Sequence, residues 1–234
     1  MKQLIGTLGF QTVMNQCLST GLFCDLIHRD QFGTLWLQPN GFITLTGTNV
    51  GGLQTKGFDL QGSYNRRLGR AGTLNVSFVG TLLRHLTVNT FGDIFYDCAG
   101  LFGPTCSAGV GGTPLPKWRH KLRVGFTMPN GIGISAQWRH FSGTELDTLS
   151  NDPDLNGGDG PHGNPGDTHM DKRDYFDLAV TARIAQKLNL RMGVNNIFDR
   201  DPPMQGLAQG NGNTYPQMFD SMGRYLFAGF TVDF

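Results

Sequence analysis

From residue 53 onward, apolar and polar residues alternate in runs of period two, the repeat of an extended strand with one apolar and one polar face. LQTKGFDLQGSYN (53–65) sets Phe58, Leu60, Gly62 and Tyr64 against Asp59, Gln61, Ser63 and Asn65, and TLNVSFVGTLL (73–83) sets Leu74, Val76, Phe78 and Leu82 against Thr73, Asn75, Ser77 and Thr81. KWRHKLRVGFTM (117–128) places Trp118, His120, Leu122, Val124, Phe126 and Met128 on one face and Lys117, Arg119, Lys121 and Arg123 on the other. IGISAQWRHF (132–141), YFDLAVTARIA (175–185), LNLRMGVNNIFD (188–199) and the terminal GRYLFAGFTVDF (223–234) repeat the pattern.

The connections between these strands are of two kinds. RRLGRAG, Pro129-Asn130-Gly131 and the turn near Gln186-Lys187 are tight, and the second is a strong hairpin signal. The segments 91–116, 142–172 and 200–222 are long, polar and glycine-rich. Turns of about three to seven residues alternating with loops of about twenty to thirty are unusual in compact water-soluble domains. They are the arrangement of an outer-membrane barrel, with short turns on one side, long loops on the other, apolar residues outward and polar residues inward. Trp118, Trp138 and Phe176 fall near the loop ends, and Tyr64 and Phe234 near the turn ends, where aromatic girdles belong.

Composition agrees. The chain has 34 glycines and 17 phenylalanines, which suit strands and turns, and no apolar run long enough for a membrane helix. A formal net charge of +1 argues against a nucleic-acid partner bound through a broad basic surface. The 4 cysteines form two local pairs, Cys17 with Cys24 and Cys98 with Cys106. Neither pair has zinc-site spacing, so loop disulfides in an oxidising compartment are expected. MKQLIGTLGFQTVMNQC is too interrupted by polar residues for a signal peptide. Met1 is therefore expected to lie inside a longer reading frame.

Several stretches resemble the C-terminal region of TonB-dependent outer-membrane receptors: TKGFDLQGSYN, GTLNVSFVGTLL, YFDLAVTARIAQKLNLRMGVNNIFDRDPP and GRYLFAGFTVDF. GVNNIFDRDPP is the most specific of them. The resemblance implies a Gram-negative outer-membrane barrel of roughly 22 strands around a plug domain, taking up a bulky nutrient with energy from TonB. It also implies that Phe230, Val232 and Phe234 form the terminal signal read by the barrel-assembly machinery. The chain departs from the complete family in having no plug, no TonB box and strands for about a third of such a barrel. Its partners would then be outer-membrane lipid, the plug and remaining barrel strands, and the TonB complex. The expected layout is an external loop region over 1–32 with a cysteine pair, then barrel strands over 33–234 that begin with a descending strand at 33–52. The expected fold class is all-β, an antiparallel up-and-down segment of about seven or eight strands of a larger plugged barrel.

No nucleophile elbow, phosphate-binding glycine loop or zinc-protease motif is present, so neither an enzyme, a metal site nor a cofactor is expected. The candidate chemistry is a row of cations. Hairpin pairing about Pro129-Asn130-Gly131 sets Lys121 beside Arg139 and Arg123 beside Gln137, with Lys117 and Arg119 on the same lumenal stripe. Either carboxylates on the plug or neighbouring strands, or an anionic ligand such as a siderophore or acidic sugar, would answer that charge. A neutral oligosaccharide would instead stack on loop aromatics such as Phe91, Phe102 or Tyr215. The rival from another class is a secreted all-β carbohydrate-binding module, which also uses alternating strands and disulfides.

Overall fold

The computed structural model describes residues 5–35, 39–49, 51–90, 94–109, 112–155, 168–184, 187–206 and 211–232. Seven long strands carry the alternating runs: β1 (Gly52–Arg67), β2 (Thr73–Thr90), β3 (Trp118–Thr127), β4 (Ile132–Phe141), β5 (Arg173–Ile184), β6 (Leu188–Asn195) and β7 (Tyr225–Val232). They pair in sequence order, β7-β6-β5-β4-β3-β2-β1, and the short strand Ile94–Asp97 adds to the far end of β2. The fold is all-β, an antiparallel up-and-down section of a barrel sheet. No helix among the described residues is long and apolar enough to cross a membrane.

The register follows from the pattern. Ile134 lies opposite Phe126 and Val180, Ala136 opposite Val124 and Leu178, and Trp138 opposite Leu122 and Phe176. Leu178 meets Val194, Val180 meets Met192, and Met192 meets Ala228, so one face is apolar across five strands. Val124, Ile134, Leu178, Val180, Met192, Leu226 and Phe230 are all exposed on it. A contiguous face of this kind marks a surface that meets lipid or protein rather than water. The β3–β4 turn shows why the register does not slip. Gly131 takes a positive φ of 83°, which favours glycine. Asn130 Oδ1 accepts the Ile132 amide at 3.1 Å, and the Met128 amide donates to the Ile132 carbonyl at 2.8 Å.

The chain divides into two compact units. One comprises residues 57–84, 116–144 and 169–234, the body of the meander; the other comprises 1–56, 85–115 and 145–168. In the second unit, helix α1 (Phe10–Thr20) ends at Gly21 and is tied to the following turn by the Cys17–Cys24 disulfide. Leu8 and Val13 are buried there against Phe23, Leu26, Ile27 and Ile43. Among the described residues, the descending strand expected over 33–52 is not formed. Phe42–Ile43 pairs with Ile27–His28, and Gly47–Asn49 with Ile5–Thr7, closing a small local fold before β1 begins at Gly52. The polar breaks that weaken the 33–52 pattern leave room for two short pairings in place of one long strand. β2 runs seven residues beyond its alternating core, to Thr90, because Ile94–Asp97 folds back and supplies its partner.

The same unit holds the Cys98–Cys106 disulfide. Asp147 is fully buried beside it, and its Oδ2 accepts the Thr105 and Cys106 amides at 2.9 and 2.8 Å. Gly103 admits this carboxylate, since a Cβ there would collide with it. Burial pushes the Asp147 carboxyl up, and the amides that favour its charged form only partly offset that. Nearby, burial and the Asp147 charge push the Tyr96 hydroxyl up to about 12.

The Asp147 shift fixes a sign. A carboxyl raised in the folded state stabilises fully at low pH and loses that contribution as pH climbs through the raised value. Protease resistance of the 98–109 segment should therefore weaken from about pH 4 upward in the wild type relative to Asp147→Asn, which keeps an acceptor but does not titrate. A constant ratio of the two cleavage rates across that range would contradict it.

Candidate functional site on the polar face

On the polar face, Lys121 lies opposite Arg139, Arg123 opposite Gln137, and Arg119 opposite Phe141. Strand β2 presents Val79 beside Lys121, Ser77 beside Arg123 and Thr81 beside Arg119. Lys117, Arg119, Lys121 and Arg123 are exposed, and among the described residues none of them makes an ion pair. Arg123 does donate to Ser135 Oγ at 3.1 Å.

Arg139 differs from the other four. Its Nε and Nη2 donate to the two oxygens of Asp177 at 2.8 and 2.9 Å, and its Nη1 and Nη2 donate to the two oxygens of Asp220 at 2.9 and 2.5 Å. The guanidinium carbon sits 5.0 Å from the ring centroid of the fully buried Tyr175, a cation–π arrangement. Only 16% of the Arg139 side chain is exposed. Arg139 thus stands apart from the open stripe: its charge is answered within the chain by two carboxylates, one on the neighbouring strand β5, among the answers the sequence left open, and one on the third long loop. Period-two reasoning could have found Asp177, which alternation puts on the polar face of β5. Nothing in the local pattern marks Asp220, 81 residues from Arg139.

The GVNNIFDRDPP stretch supplies the frame of that loop. Asn196 is buried with a positive φ of 52°, and its amide donates to Asp177 Oδ1 at 2.9 Å. Its side chain bonds the backbone of Arg200 twice, at 2.9 Å each. Asp199 Oδ1 accepts the Arg224 amide at 2.7 Å, which clips the start of β7 to the end of β6. That amide and the Arg224 guanidinium hold the Asp199 carboxyl below the usual carboxylate range. Further along, Tyr215 and Phe219 are buried, and Phe219 sets its ring edge-on to Phe141 at 5.8 Å.

On the apolar face, the loop ends of the strands carry a collar of rings. Trp138 and Phe176 lie parallel at 6.1 Å, and His120 meets Trp138 edge-on at 4.4 Å and stacks on His140 at 5.1 Å. The Trp138 indole and His140 Nδ1 both bond Asp174 Oδ1, at 2.8 and 2.7 Å, and the Trp118 indole donates to His120 Nδ1 at 2.9 Å. The two tryptophans and Phe176 stand where the sequence puts a girdle. The histidines and Asp174 that satisfy the indoles were not foreseen, although alternation alone puts them on that face.

Of the loop aromatics considered for stacking a sugar, Phe102 and Tyr215 are about 1% exposed. They are core residues of their loops, and neither offers a face to a ligand. Phe91 and the terminal Phe234 lie outside the described residues, whereas Phe230 and Val232 are exposed on the apolar face of β7.

No protein-family model and no curated protein matches the sequence. Among solved structures, the chain is similar to a mutant of the ferric enterobactin receptor PfeA of Pseudomonas aeruginosa, with 14% identity, a TM-score of 0.52, and coverage of 84% of this chain and 25% of that one. A second PfeA mutant, in complex with enterobactin, is similar with 14% identity and a TM-score of 0.53, over the same shares. The FrpB iron transporter of Neisseria meningitidis has 16% identity and a TM-score of 0.49, over 86% of this chain and 26% of its own. The chain spans about a quarter of the length of these proteins. Its fold is similar to a section of the ferric enterobactin receptor barrel.

Removing one member of the arginine cluster should be costly, and removing a stripe cation should not. Arg139→Met leaves Asp177 and Asp220 facing each other with no counter-charge, and should lower stability by about 3–5 kcal/mol. Lys121→Met should stay within about 0.5 kcal/mol. Equilibrium unfolding in detergent compares the two, and Asp220→Asn should restore much of what Arg139→Met loses.

Proposed function

We propose that this chain is the C-terminal part of the barrel of a TonB-dependent outer-membrane receptor of a Gram-negative bacterium, which takes up a bulky nutrient such as a siderophore or an oligosaccharide. The observation that carries the reading is the division of faces. Across β3–β7 every cross-strand partner of an apolar residue on one face is apolar or small, and the loop ends of that face carry indoles with satisfied N–H groups. Lipid requires such a face, and its water interface favours such rings. A water-soluble carbohydrate-binding module would have to cover the same surface.

In this role the apolar face meets the hydrocarbon, the stripe Lys117–Arg119–Lys121–Arg123 faces the lumen, and the long loops stand on the external side. The plug, the remaining strands and TonB are partners of the full receptor, and Phe230 and Val232 belong to the segment offered to the assembly machinery. In this role the work is binding and passage.

The two faces can be tested at neighbouring positions of β5. Leu178 lies mid-strand on the apolar face, so Leu178→Arg should cost about 2–4 kcal/mol of folding stability in a bilayer. Thr181, on the polar face opposite Gly133, should accept arginine with a small change. A bilayer refolding titration of the receptor carrying each change reads both values; the opposite order would place the register off by one and overturn the assignment.

A further inference from the structure

We infer that Asp220 is a tethered stand-in for a carboxylate ligand: it occupies the outer fork of Arg139 and so latches the third long loop to the polar wall, and an incoming carboxylate takes its place and frees the loop. The inference rests on the reading of the polar face as a lumen. The two carboxylates on Arg139 are not equivalent. Asp177 sits on β5 and accepts from Arg139 through two nitrogens, from Gln137 Nε2 at 3.0 Å and from the Asn196 amide at 2.9 Å. The Asp220 carboxylate accepts from Arg139 alone among the described hydrogen bonds. Asp177 is therefore the fixed partner and Asp220 the exchangeable one.

Charge points the same way. One guanidinium faces two carboxylates, so Asp177 suffices to neutralise Arg139 and the second carboxylate is surplus. Directly across the hairpin, Lys121 is exposed and unpaired among the described residues, with Arg119 and Arg123 beside it. A carboxylate arriving from the lumen can bond the same fork and also feel these cations. Asp220 is tied to its place by the backbone of its loop. The fork geometry selects the ligand class: two parallel N–H donors match the two oxygens of a planar carboxylate.

The hardware for release is present. Asp220 is followed closely by Gly223, whose φ of 67° marks a bend, and Asp199 clips Arg224 just beyond it. The loop can let go at Asp220 while its root stays attached. The Phe219 ring against Phe141 still holds it, as does the Thr214 hydroxyl, which donates to the Pro203 carbonyl at 2.9 Å.

The test uses the chain within its full-length receptor in detergent, with citrate as the probe and sodium sulfate at matched ionic strength as the control. Citrate should raise hydrogen exchange of the 214–222 amides by about tenfold, the scale of losing one charge-assisted pairing, and sulfate should not. Asp220→Asn should show the raised exchange without citrate and bind citrate about tenfold more tightly. Lys121→Met, which leaves the latch untouched, should weaken the citrate effect. Unchanged exchange in citrate, equal release by sulfate, or no gain in affinity in Asp220→Asn would each overturn the latch. These results are separable from the barrel reading. If Leu178→Arg and Thr181→Arg keep their expected order while citrate does nothing, only the latch fails; if that order reverses, the polar face itself is misassigned.

Discussion

A strand that borders an apolar medium must satisfy its backbone N–H and C=O groups on the next strand, and everything else here depends on the register in which it does so. Because side chains alternate, a shift of one residue on β4 would carry Arg139 to the face of Leu122 and Phe176 and bring Trp138 onto the polar side. The turn at Asn130-Gly131 fixes β3 against β4, and the local pairings of the meander pass that register along to β7. The cation row, the arginine cluster and the ring collar are all read out from it. Only the Asp220 end of the arginine cluster takes its geometry from a loop rather than from the sheet.

Much of this was legible in the sequence because period-two alternation reports directly on faces. The pairing of Lys121 with Arg139 and of Arg123 with Gln137 follows from the turn residues and a count along two strands, and the structure has both. The limits are equally physical. Asp220 answers Arg139 from a loop with no periodicity, and only a folded loop brings them within hydrogen-bonding distance. Residues 33–52 mix Phe42 and Ile43 with glycines and threonines, a composition that serves two short pairings as well as one strand. Alternation puts His120, His140 and Asp174 on the apolar face, but their role in satisfying indole N–H groups is a matter of distances. The most specific motif, GVNNIFDRDPP, was recognisable as a pattern before its mechanics were visible. Asn196 and Asp199 now account for it, since both adopt positive φ and both hold the root of a long loop to the sheet.

The loops are better built than their composition suggests. Asp147 behind Gly103, Leu8 and Val13 under α1, and Tyr215 and Phe219 near β7 each give a glycine-rich segment a small core. Short disulfides add local closure at Cys17–Cys24 and Cys98–Cys106. Each small core lets a glycine-rich segment present a definite surface.

The unbroken neighbour-to-neighbour strand order has an evolutionary side. A sheet that never crosses over can gain or lose a hairpin by duplication or recombination without rethreading the rest. The β3–β4 hairpin would travel in such an exchange as one piece, carrying Lys121 and Arg139 with it. Its arginine would arrive in the new host without Asp177 or Asp220, however, and its guanidinium would be left without a counter-charge. Since Asp177 alone neutralises Arg139, the smallest piece that carries this hairpin with its charge intact runs from β3 through β5, and recombination breakpoints among relatives should avoid its interior.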